Sequence, residues 1–362
     1  MPIRMTDDPV DPNQQDDDGG GGGRGPNLPG GGGGLMSLLP MLLGLFKGKG
    51  IILLLVIGAG AFFLLNKSGG CNPADIIKQF SSSGYSFNPS EFNKASVYEG
   101  LEDDAGKNPL PEAVSLLKFA PNRGNQGQQG SCVAWSCAYA SQTILTAAAT
   151  GQDPNQIVFS PSYLYNQIRL EGCQGSYLQR AMEAMKANGG MPLSQYPYND
   201  QDCEKEPSSS DVQRGRENVI HGFTRITNGD NINEISVRGI KEHLAKNAPV
   251  AIGMMVGQSF MQDMMGQELW TPQGMDESQM GMGGHAMHVI GYDDRKFGGA
   301  FQIMNSWGPE WGKNGVAWIR YSDFKTYVRE AYGIDPLPKR SNVANIPLEC
   351  KIGLVNNDGG KN

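Results

Sequence analysis

The stretch that decides the fold is Asn125-Gln126-Gly127-Gln128-Gln129-Gly130-Ser131-Cys132. This glycine-rich polar loop runs directly into residues 133–149, which contain no Pro or Gly and are rich in alanine and aliphatic side chains. The pattern predicts a helix that begins at Cys132. Because the amino end of a helix carries a partial positive charge, a thiol at this position should ionise more easily than a free cysteine.

Two further stretches supply the groups that a cysteine nucleophile needs. They are Gly284-His285-Ala286 and Asn305-Ser306-Trp307-Gly308. Acyl transfer by a thiolate requires an imidazole that returns the proton, a group that orients the imidazole, and donors for the oxyanion of the tetrahedral intermediate. With Cys132 as the nucleophile, the residue types predict these three roles for His285, Asn305 and Gln126.

The order and the local signatures of these motifs resemble the papain family of cysteine peptidases over roughly residues 110–336. The glutamine lies six positions before the cysteine, as in that family, and Gly291-Tyr292 follows the histidine at the family distance. Trp311-Gly312 and Asn314-Gly315 continue the asparagine motif. The resemblance implies an α+β, papain-like two-lobe fold with a helical left lobe and a β-barrel-like right lobe. It also implies a cysteine-type endopeptidase that acts on proteins or peptides, and we expect a membrane-anchored, bacterial member.

The resemblance assigns a role to each site residue. The backbone N–H of Cys132 and the side-chain amide of Gln126 bind the oxyanion, and Asn305 fixes the tautomer of His285. The indole of Trp307 shields the bond between Asn305 and the histidine from water. Gly175 is expected at the non-primed side of the cleft, where a glycine lets a substrate backbone approach closely. The predicted resting state is a thiolate–imidazolium pair with a thiol pKa of roughly 3–4.

Four other side chains are of the right chemical type for the nucleophile or the base. Cys137 falls inside the helix and lacks the Gly-Ser approach and the glutamine spacing, so a buried and inert cysteine is predicted. His288 lacks the Gly-Gly turn that precedes His285 and is predicted to be a strand residue. His221 and His243 have no motif around them and are interpreted as surface or half-buried histidines.

Two positions depart from the family pattern. Val133 stands where an aromatic residue usually follows the nucleophile, and Gln129 stands where a cysteine is common. These changes leave the local packing and the substrate contacts undetermined, but they do not touch the residues that carry the chemistry. Two alternative functions also remain open: a thiol amidase or transpeptidase acting on cell-wall peptides, and a catalytically silent surface-binding module. The intact Gln126 argues against the silent module.

Hydrophobic patterning predicts the other elements of the two lobes. The helices predicted for the left lobe are the one beginning at Cys132, 161–167 and 177–188. The strands predicted for the right lobe are 220–226, 249–256, 286–292, 301–305 and 316–321, with a helix over 232–247 packed on them. The active site is expected in the cleft between the lobes, with His285 and Asn305 on adjacent strands.

Length and composition indicate how the rest of the chain is organised. Its 362 residues, 39% hydrophobic content and net charge of −7 fit one domain of ordinary size with appendages, and no basic patch indicates nucleic-acid binding. The peptidase domain is assigned to residues 109–338 and a C-terminal tail to 339–362. Residues 1–34 are rich in Asp, Gly and Pro and are predicted to be disordered. Nothing in the sequence indicates a metal site or a cofactor.

Residues 35–66 form an apolar region that Lys47-Gly48-Lys49-Gly50 interrupts. The run at 51–65 falls short of the ~20 residues that usually cross a bilayer, but flanking glycines and snorkelling lysines extend it to a predicted span of about 48–66. The lysines before the span place the N-terminus in the cytoplasm and the peptidase domain in the periplasm or outside the cell. A hairpin of 35–46 with this run would reverse that placement, and a cleaved signal or lipoprotein sequence is a further alternative.

Residues 67–108 are interpreted as a stalk or a short inhibitory prosegment. The cysteines not yet assigned are Cys71, Cys173, Cys203 and Cys350. The family resemblance of Gly172-Cys173-Gln174-Gly175 implies a disulfide between Cys173 and Cys203. Cys71 and Cys350 are candidates for a second bridge, although the sequence does not determine connectivity. Disulfides agree with an oxidising compartment.

Overall fold

The computed structural model describes residues 84–100, 109–276 and 282–338. The predictions for the tail at 1–34, the membrane span at 48–66 and the tail at 339–362 concern residues outside these ranges, as do those for Cys71 and Cys350. In the described ranges, no helix combines the length and the apolar character that a bilayer span requires.

The helices lie mainly in the first half of the described chain. A central helix that begins at Cys132 packs against the next two helices of the chain, and short helices follow within the sheet region. The helices are α1 (Pro89–Phe92), α2 (the run Cys132–Ala134, Trp135–Gln142 and Thr143–Thr150), α3 (Pro161–Ile168), α4 (Leu178–Asn188), α5 (Ser209–Gly215), α6 (Val237–Ala245), α7 (Gln258–Gln262) and α8 (Tyr321–Tyr327). Single 3-10 turns lie at Leu117–Phe119, Pro154–Gln156, Glu171–Cys173, Arg216–Asn218, Gly274–Asp276 and Lys296–Gly298.

Helix α2 begins at Cys132, as the sequence predicts, and ends where Gly151 takes a left-handed conformation with φ of 73°. Its middle section, Trp135–Gln142, is a π-helix in which every residue is buried. Such wide turns are rare and often lie near functional sites. The hydroxyl of Ser136 in this section donates to the backbone oxygen of Met287 at 2.5 Å, which ties the helix to the sheet.

The second half of the chain forms an antiparallel sheet. Its strands follow the spatial order β2-β9-β5-β6-β7-β8, and β1 pairs with the far end of β6. The strands are β1 (Ala113–Ser115), β2 (Phe223–Arg225), β3 (Thr227–Asn228), β4 (Asn231–Ile235), β5 (Val250–Val256), β6 (Gly283–Asp293), β7 (Ala300–Met304), β8 (Val316–Arg320) and β9 (Val328–Ile334), with β3 and β4 forming a separate hairpin. Among the described residues the two end strands do not pair with each other. The expectation of a barrel-like lobe is therefore wrong, because the sheet stays open.

The predicted helix over 232–247 is also wrong in its first part. Asn231–Ile235 pairs with the short strand β3, and the helix begins only at Val237. Ser236 separates the two elements, since its hydroxyl accepts a hydrogen bond from the N–H of Gly239 at 3.1 Å and caps the helix. Ser236 is a good N-cap residue within this periodic stretch, and its capping bond sets the helix start later than the periodicity predicts.

The described part of the 67–108 segment packs on the sheet. Phe92 is fully buried, with its ring centroid 5.3 Å from that of Tyr332. Val97 forms a parallel bridge with Arg225, and the N–H of Tyr98 donates to the oxygen of the same arginine at 2.9 Å. Residues 84–98 are thus an integral layer of the domain.

A disulfide joins Cys173 to Cys203, with the two Cα atoms 6.1 Å apart. The pairing implied by the family resemblance is therefore confirmed. It connects the turn before Gly175 to the loop after Tyr198 on the helical side of the molecule.

Candidate active site

Cys132 lies at the amino end of α2, against the first residues of strand β6. Its sulfur accepts a hydrogen bond from the backbone N–H of Ala286 at 3.4 Å. Further backbone N–H groups, including those of Cys132 itself and Val133, also favour the ionised sulfur. Because Ala286 is the neighbour of His285, this contact places the predicted nucleophile against the strand that carries the predicted base.

His285 and Asn305 lie on neighbouring strands, as predicted: His285 is in β6, and Asn305 directly follows β7. The Nε2 atom of His285 lies 2.7 Å from the Oδ1 atom of Asn305. The N–H of Ser306 donates to the same oxygen at 2.7 Å, and since a backbone N–H can only donate, that atom is the amide oxygen. His285 therefore carries its proton on Nε2, and its Nδ1 atom has a free lone pair for the thiol proton.

Trp307 covers this pair. Its ring stacks on the imidazole of His285 with centroids 4.3 Å apart and an interplanar angle of 26°. Phe260 and Trp311 contact the other sides of the indole. The stacked indole limits the access of water to the hydrogen bond between His285 and Asn305, which is the predicted supporting role.

Gln126 is held beside the same turn by Ser306. The Ser306 hydroxyl donates to Oε1 of Gln126 at 2.7 Å, and the Gln126 N–H donates to the oxygen of Ser306 at 2.8 Å. These bonds leave the Nε2 group of Gln126 directed to the loop before Cys132, where one hydrogen reaches the oxygen of Gln129 at 3.0 Å. Ser306, which sequence reasoning did not single out, thus connects Gln126, the predicted oxyanion donor, to Asn305, the residue predicted to orient the base.

The cleft at Cys132 is occupied by the chain's own covering segment, Gly84-Tyr85-Ser86. Tyr85 forms a parallel bridge with Ser176: the N–H of Ser86 donates to the Ser176 oxygen at 3.1 Å, and the N–H of Ser176 donates to the Gly84 oxygen at 3.0 Å. Gly175, expected where a substrate backbone passes, has φ of 90° and lies directly against the Gly84 backbone. Cys132 is consequently fully buried.

The covering segment is held in an orientation that cannot react. Gly84 presents its backbone N–H to the sulfur of Cys132. Its carbonyl group is turned to Ser176 and not to the oxyanion donors. Attack requires a carbonyl carbon at the sulfur with its oxygen on those donors, so this backbone is not positioned for cleavage.

The side chain of Tyr85 fills a buried pocket in the sheet. Its ring lies against Gly253 and Gly284, neither of which has room for a Cβ atom. Its hydroxyl interacts with the carboxyl group of Glu330, which also interacts with Tyr332. Burial raises the pKa of Glu330 to about 8, so this carboxyl group is neutral at pH 7 in the covered cleft.

Burial also sets the charges of the catalytic pair. Loss of contact with water raises the pKa of Cys132 to about 12, although the surrounding N–H groups oppose this shift. It lowers the pKa of His285 to about 4, against the effect of the Asn305 bond. The covered site therefore holds a neutral thiol and a neutral imidazole, which differs from the predicted ion pair. The helix field alone does not compensate for desolvation.

The comparison with known proteins agrees with this geometry. Residues 118–334, more than half of the chain, match the model of the papain family cysteine proteases. The chain belongs to the papain family of cysteine proteases. It is 27% identical to mouse cathepsin K over 214 residues and 29% identical to human cathepsin L2 over 225 residues. Each match covers 58% of this chain. The chain spans only 59% of the length of mouse cathepsin K and 60% of the length of human cathepsin L2.

Solved structures of papain-like proteases share the fold. Xylellain, a cysteine protease from Xylella fastidiosa, aligns with a TM-score of 0.57 at 21% identity, covering 71% of this chain and 97% of xylellain. Procathepsin L2 from the larval midgut of Tenebrio molitor aligns with a TM-score of 0.55 at 17% identity, covering 73% of this chain and 80% of that structure. At these identities the likeness supports the α+β papain fold and nothing finer.

The rival residues of this papain-family chain differ in their burial. Cys137 is buried in the π-helical section, and burial raises its thiol pKa. His288 is buried in β6, whereas His221 is exposed. His243 is buried and not half-buried, because α6 packs it on the sheet and its Nδ1 atom lies 3.0 Å from the oxygen of Gly239.

The two departures from the family pattern are accommodated by packing. Val133 is fully buried at the first turn of α2. Gln129 is buried, and its side chain bonds the oxygen of Asn199 at 3.3 Å and the hydroxyl of Tyr198 at 3.3 Å. These bonds connect the loop before Cys132 to the region of the disulfide. They stand in place of the link that the family's cysteine at the position of Gln129 would make.

Proposed function

We propose that this protein is a cysteine-type endopeptidase that hydrolyses peptide bonds of proteins or peptides. The observation that carries the proposal is the 2.7 Å hydrogen bond between His285 and Asn305. The thiol of Cys132 accepts a hydrogen bond from the N–H of Ala286, the residue that follows His285 in the same strand. Cys132 would attack the carbonyl carbon while Nδ1 of His285 takes the thiol proton. The C–N bond then breaks as His285 returns the proton to the leaving amine, and water hydrolyses the thioester.

The enzyme would be latent in the covered form. Gly84 occupies the place where a substrate backbone has to lie, and the neutral catalytic pair lacks the thiolate. Displacing the covering segment readmits water and removes the desolvation cost, so the thiolate–imidazolium pair can form. Latency of this kind keeps a peptidase inactive until a change at the segment uncovers it.

The room beside the covering segment suits a peptide substrate. A polar cavity of about 590 Å³ lies on the helical side, bordered by Ser86, Gln129, Gln174 and Cys173. It continues the groove that the segment follows past Gly175. Substrate residues beyond the one that replaces Tyr85 would extend into this space.

The test uses the full-length chain and a peptidyl epoxide that alkylates activated thiols. In the Gly84→Ala background, which is expected to uncover the thiol, the parent protein and the matched variant Cys137→Ala should each gain one adduct, mapped to Cys132 by peptide mass analysis, and Cys132→Ala should gain none. Labelled protein should also lose hydrolysis of unfolded protein substrates. An adduct at Cys137, or hydrolysis of cell-wall peptides without hydrolysis of proteins, would contradict the proposal.

We further propose that a single span at about 48–66 anchors the enzyme, with the N-terminus cytoplasmic and the catalytic domain in the periplasm or outside the cell. The support is the apolar run at 51–65 with lysines before it, together with the disulfide, which needs an oxidising compartment. Externally added protease should degrade residues 109–338 in intact cells or spheroplasts, and deletion of 48–66 should release the domain from membranes. Protection of the domain would overturn this topology.

A further inference from the structure

A small cavity lies beside Asn305, and His285 is not among the residues that border it. Residues of β6, of the π-helical section and of the turn after β7 border it, among them His288, Asn305 and Met304. Its volume is about 10 Å³, room for the centre of one water molecule. Ser136 also borders it, but its hydroxyl is already bonded to the Met287 oxygen.

Unsatisfied polar atoms border this cavity. The Nδ2 group of Asn305 and both ring nitrogens of His288 have no hydrogen-bond partner in the part of the chain that the structure describes. Both side chains are more than nine-tenths buried, at 2% and 3% exposure. A buried polar group without a partner is costly, so a bound water with partners on both sides is the expected content of such a site.

We propose that His288 is a positioning residue that holds Asn305 through one buried water molecule. The water accepts a hydrogen bond from Nδ2 of Asn305 and donates one to a ring nitrogen of His288. Because the amide's Nδ2 group is then satisfied on this side, its oxygen stays directed at Nε2 of His285. The inference rests on the proposed function, since it concerns the residue that orients the catalytic base.

His288 has the chemistry that this role requires. Burial, together with the nearby charge of Arg123, lowers its pKa to about 3, so the ring is neutral under ordinary conditions. A neutral imidazole offers one acceptor nitrogen to the water, which an imidazolium does not. An apolar residue at this strand position would pack equally well but would leave the amide of Asn305 unsatisfied.

The first experiment is a high-resolution crystal structure of the full-length chain. A water within hydrogen-bond distance of both Asn305 Nδ2 and a His288 nitrogen supports the proposal. A dry cavity, or a direct bond between the two side chains, overturns it.

The second experiment measures the tautomer of His285 by nitrogen-15 NMR of the ring at pH 7. The chain has four histidines, so His221→Gln and His243→Gln complete the assignment. Wild type should show the proton on Nε2 alone. In His288→Leu the population of the other tautomer should rise at least about fivefold relative to the Nε2-protonated form and become detectable, because one buried hydrogen bond that fixes the Asn305 amide is lost. His288→Gln, which keeps an acceptor, should restore the wild-type signal.

Met304→Leu is the matched control, because Met304 borders the same cavity and is the register partner of His288. It should leave the tautomer unchanged. An unchanged spectrum in His288→Leu, failure of His288→Gln to restore it, or an equal change in Met304→Leu overturns the proposal. Epoxide labelling of Cys132 in the Gly84→Ala protein separates the two ideas: absent labelling there would count against the peptidase, whereas the tautomer result would still decide the role of His288.

Discussion

Tyr85 forms a parallel β-bridge with Ser176 and inserts its side chain into a pocket that contains the carboxyl group of Glu330. The bridge fixes the main chain of the covering segment, and the pocket fixes its side chain. Together they bury Cys132 completely and place an N–H, instead of a carbonyl carbon, at the sulfur. A contact between two residues about ninety positions apart thus determines whether the catalytic apparatus is accessible.

Gly84→Ala is expected to activate the full-length chain. A Cβ atom at this position would overlap the backbone of Gly130, which has no flexible side chain that could move aside. A strain of ~1.4 kcal/mol or more in the covered form shifts the open population at least about tenfold. The rate of epoxide labelling at Cys132 and the initial rate on a fluorogenic peptide should both rise by that factor.

Ser86→Ala is the control for this variant, because Ser86 contributes a backbone N–H to the bridge and that group is retained. Its labelling rate should equal that of wild type. Equal rates for Gly84→Ala and wild type would show that the covering segment does not limit access.

Glu330 should make the covered form less stable as the pH rises. Burial raises the pKa of this carboxyl group to about 8, above its ordinary value of 4.5, so the covered form holds a proton that the unfolded chain releases. The resulting stabilisation is fully present below the ordinary pKa and is lost as the pH rises through about 8. The unfolding free energy of wild type, relative to Glu330→Gln, should therefore fall between pH 5 and pH 8.

Urea denaturation at pH 5, 6.5 and 8 measures this difference. Taking the difference between the two proteins cancels the contributions of the buried histidines, which both share. The exposed Glu171→Gln serves as the control and should follow wild type at every pH. A wild-type curve parallel to that of Glu330→Gln would mean that Glu330 is not protonated in the folded chain.

Gln126→Ala is expected to impair turnover without impairing the nucleophile. Loss of one oxyanion donor typically costs about 2.7–4 kcal/mol in the transition state, which corresponds to a decrease in kcat of roughly 10²–10³-fold. Alkylation of Cys132 by iodoacetamide forms no oxyanion and should keep its rate. Both assays are best done in the Gly84→Ala background, where the thiol is accessible.

The exposed Gln152→Ala is the control for Gln126, because it is the same change away from the cavity, and it should retain both rates. If Gln126→Ala slowed alkylation as much as turnover, its effect would be on the thiol or on the loop. A role at the oxyanion would then be excluded.

Replacing Cys173 and Cys203 together by alanine should destabilise the domain. The disulfide closes a loop with a sequence separation of 30. Bridges of this kind contribute about 2–4 kcal/mol to the free energy of unfolding. The midpoint of urea unfolding should fall accordingly, and wild type treated with a reductant should approach the same midpoint. An unchanged midpoint in the double variant would show that packing alone holds these loops together.

The sequence by itself determined the chemistry and its local settings. Cys132 begins a helix because a glycine-rich loop meets an alanine-rich run, and both features are local. His285 and Asn305 lie on neighbouring strands because their flanking residues have strand character, and the family order predicts their roles. The Cys173 to Cys203 bridge followed from the same resemblance. Short motifs and periodicity carry this information, since each depends on residues close together in the chain.

Only the tertiary structure determines which of these groups are accessible and how they are charged. The covering segment, the bond from Ser306 to Gln126 and the pocket that joins Tyr85 to Glu330 all connect residues far apart in the sequence, so no local pattern indicates them. The same holds for the charges of Cys132 and His285, because a pKa depends on burial and burial depends on the whole fold. The sequence therefore specified the residues of a papain-family site, and long-range packing determined that this site is covered and uncharged.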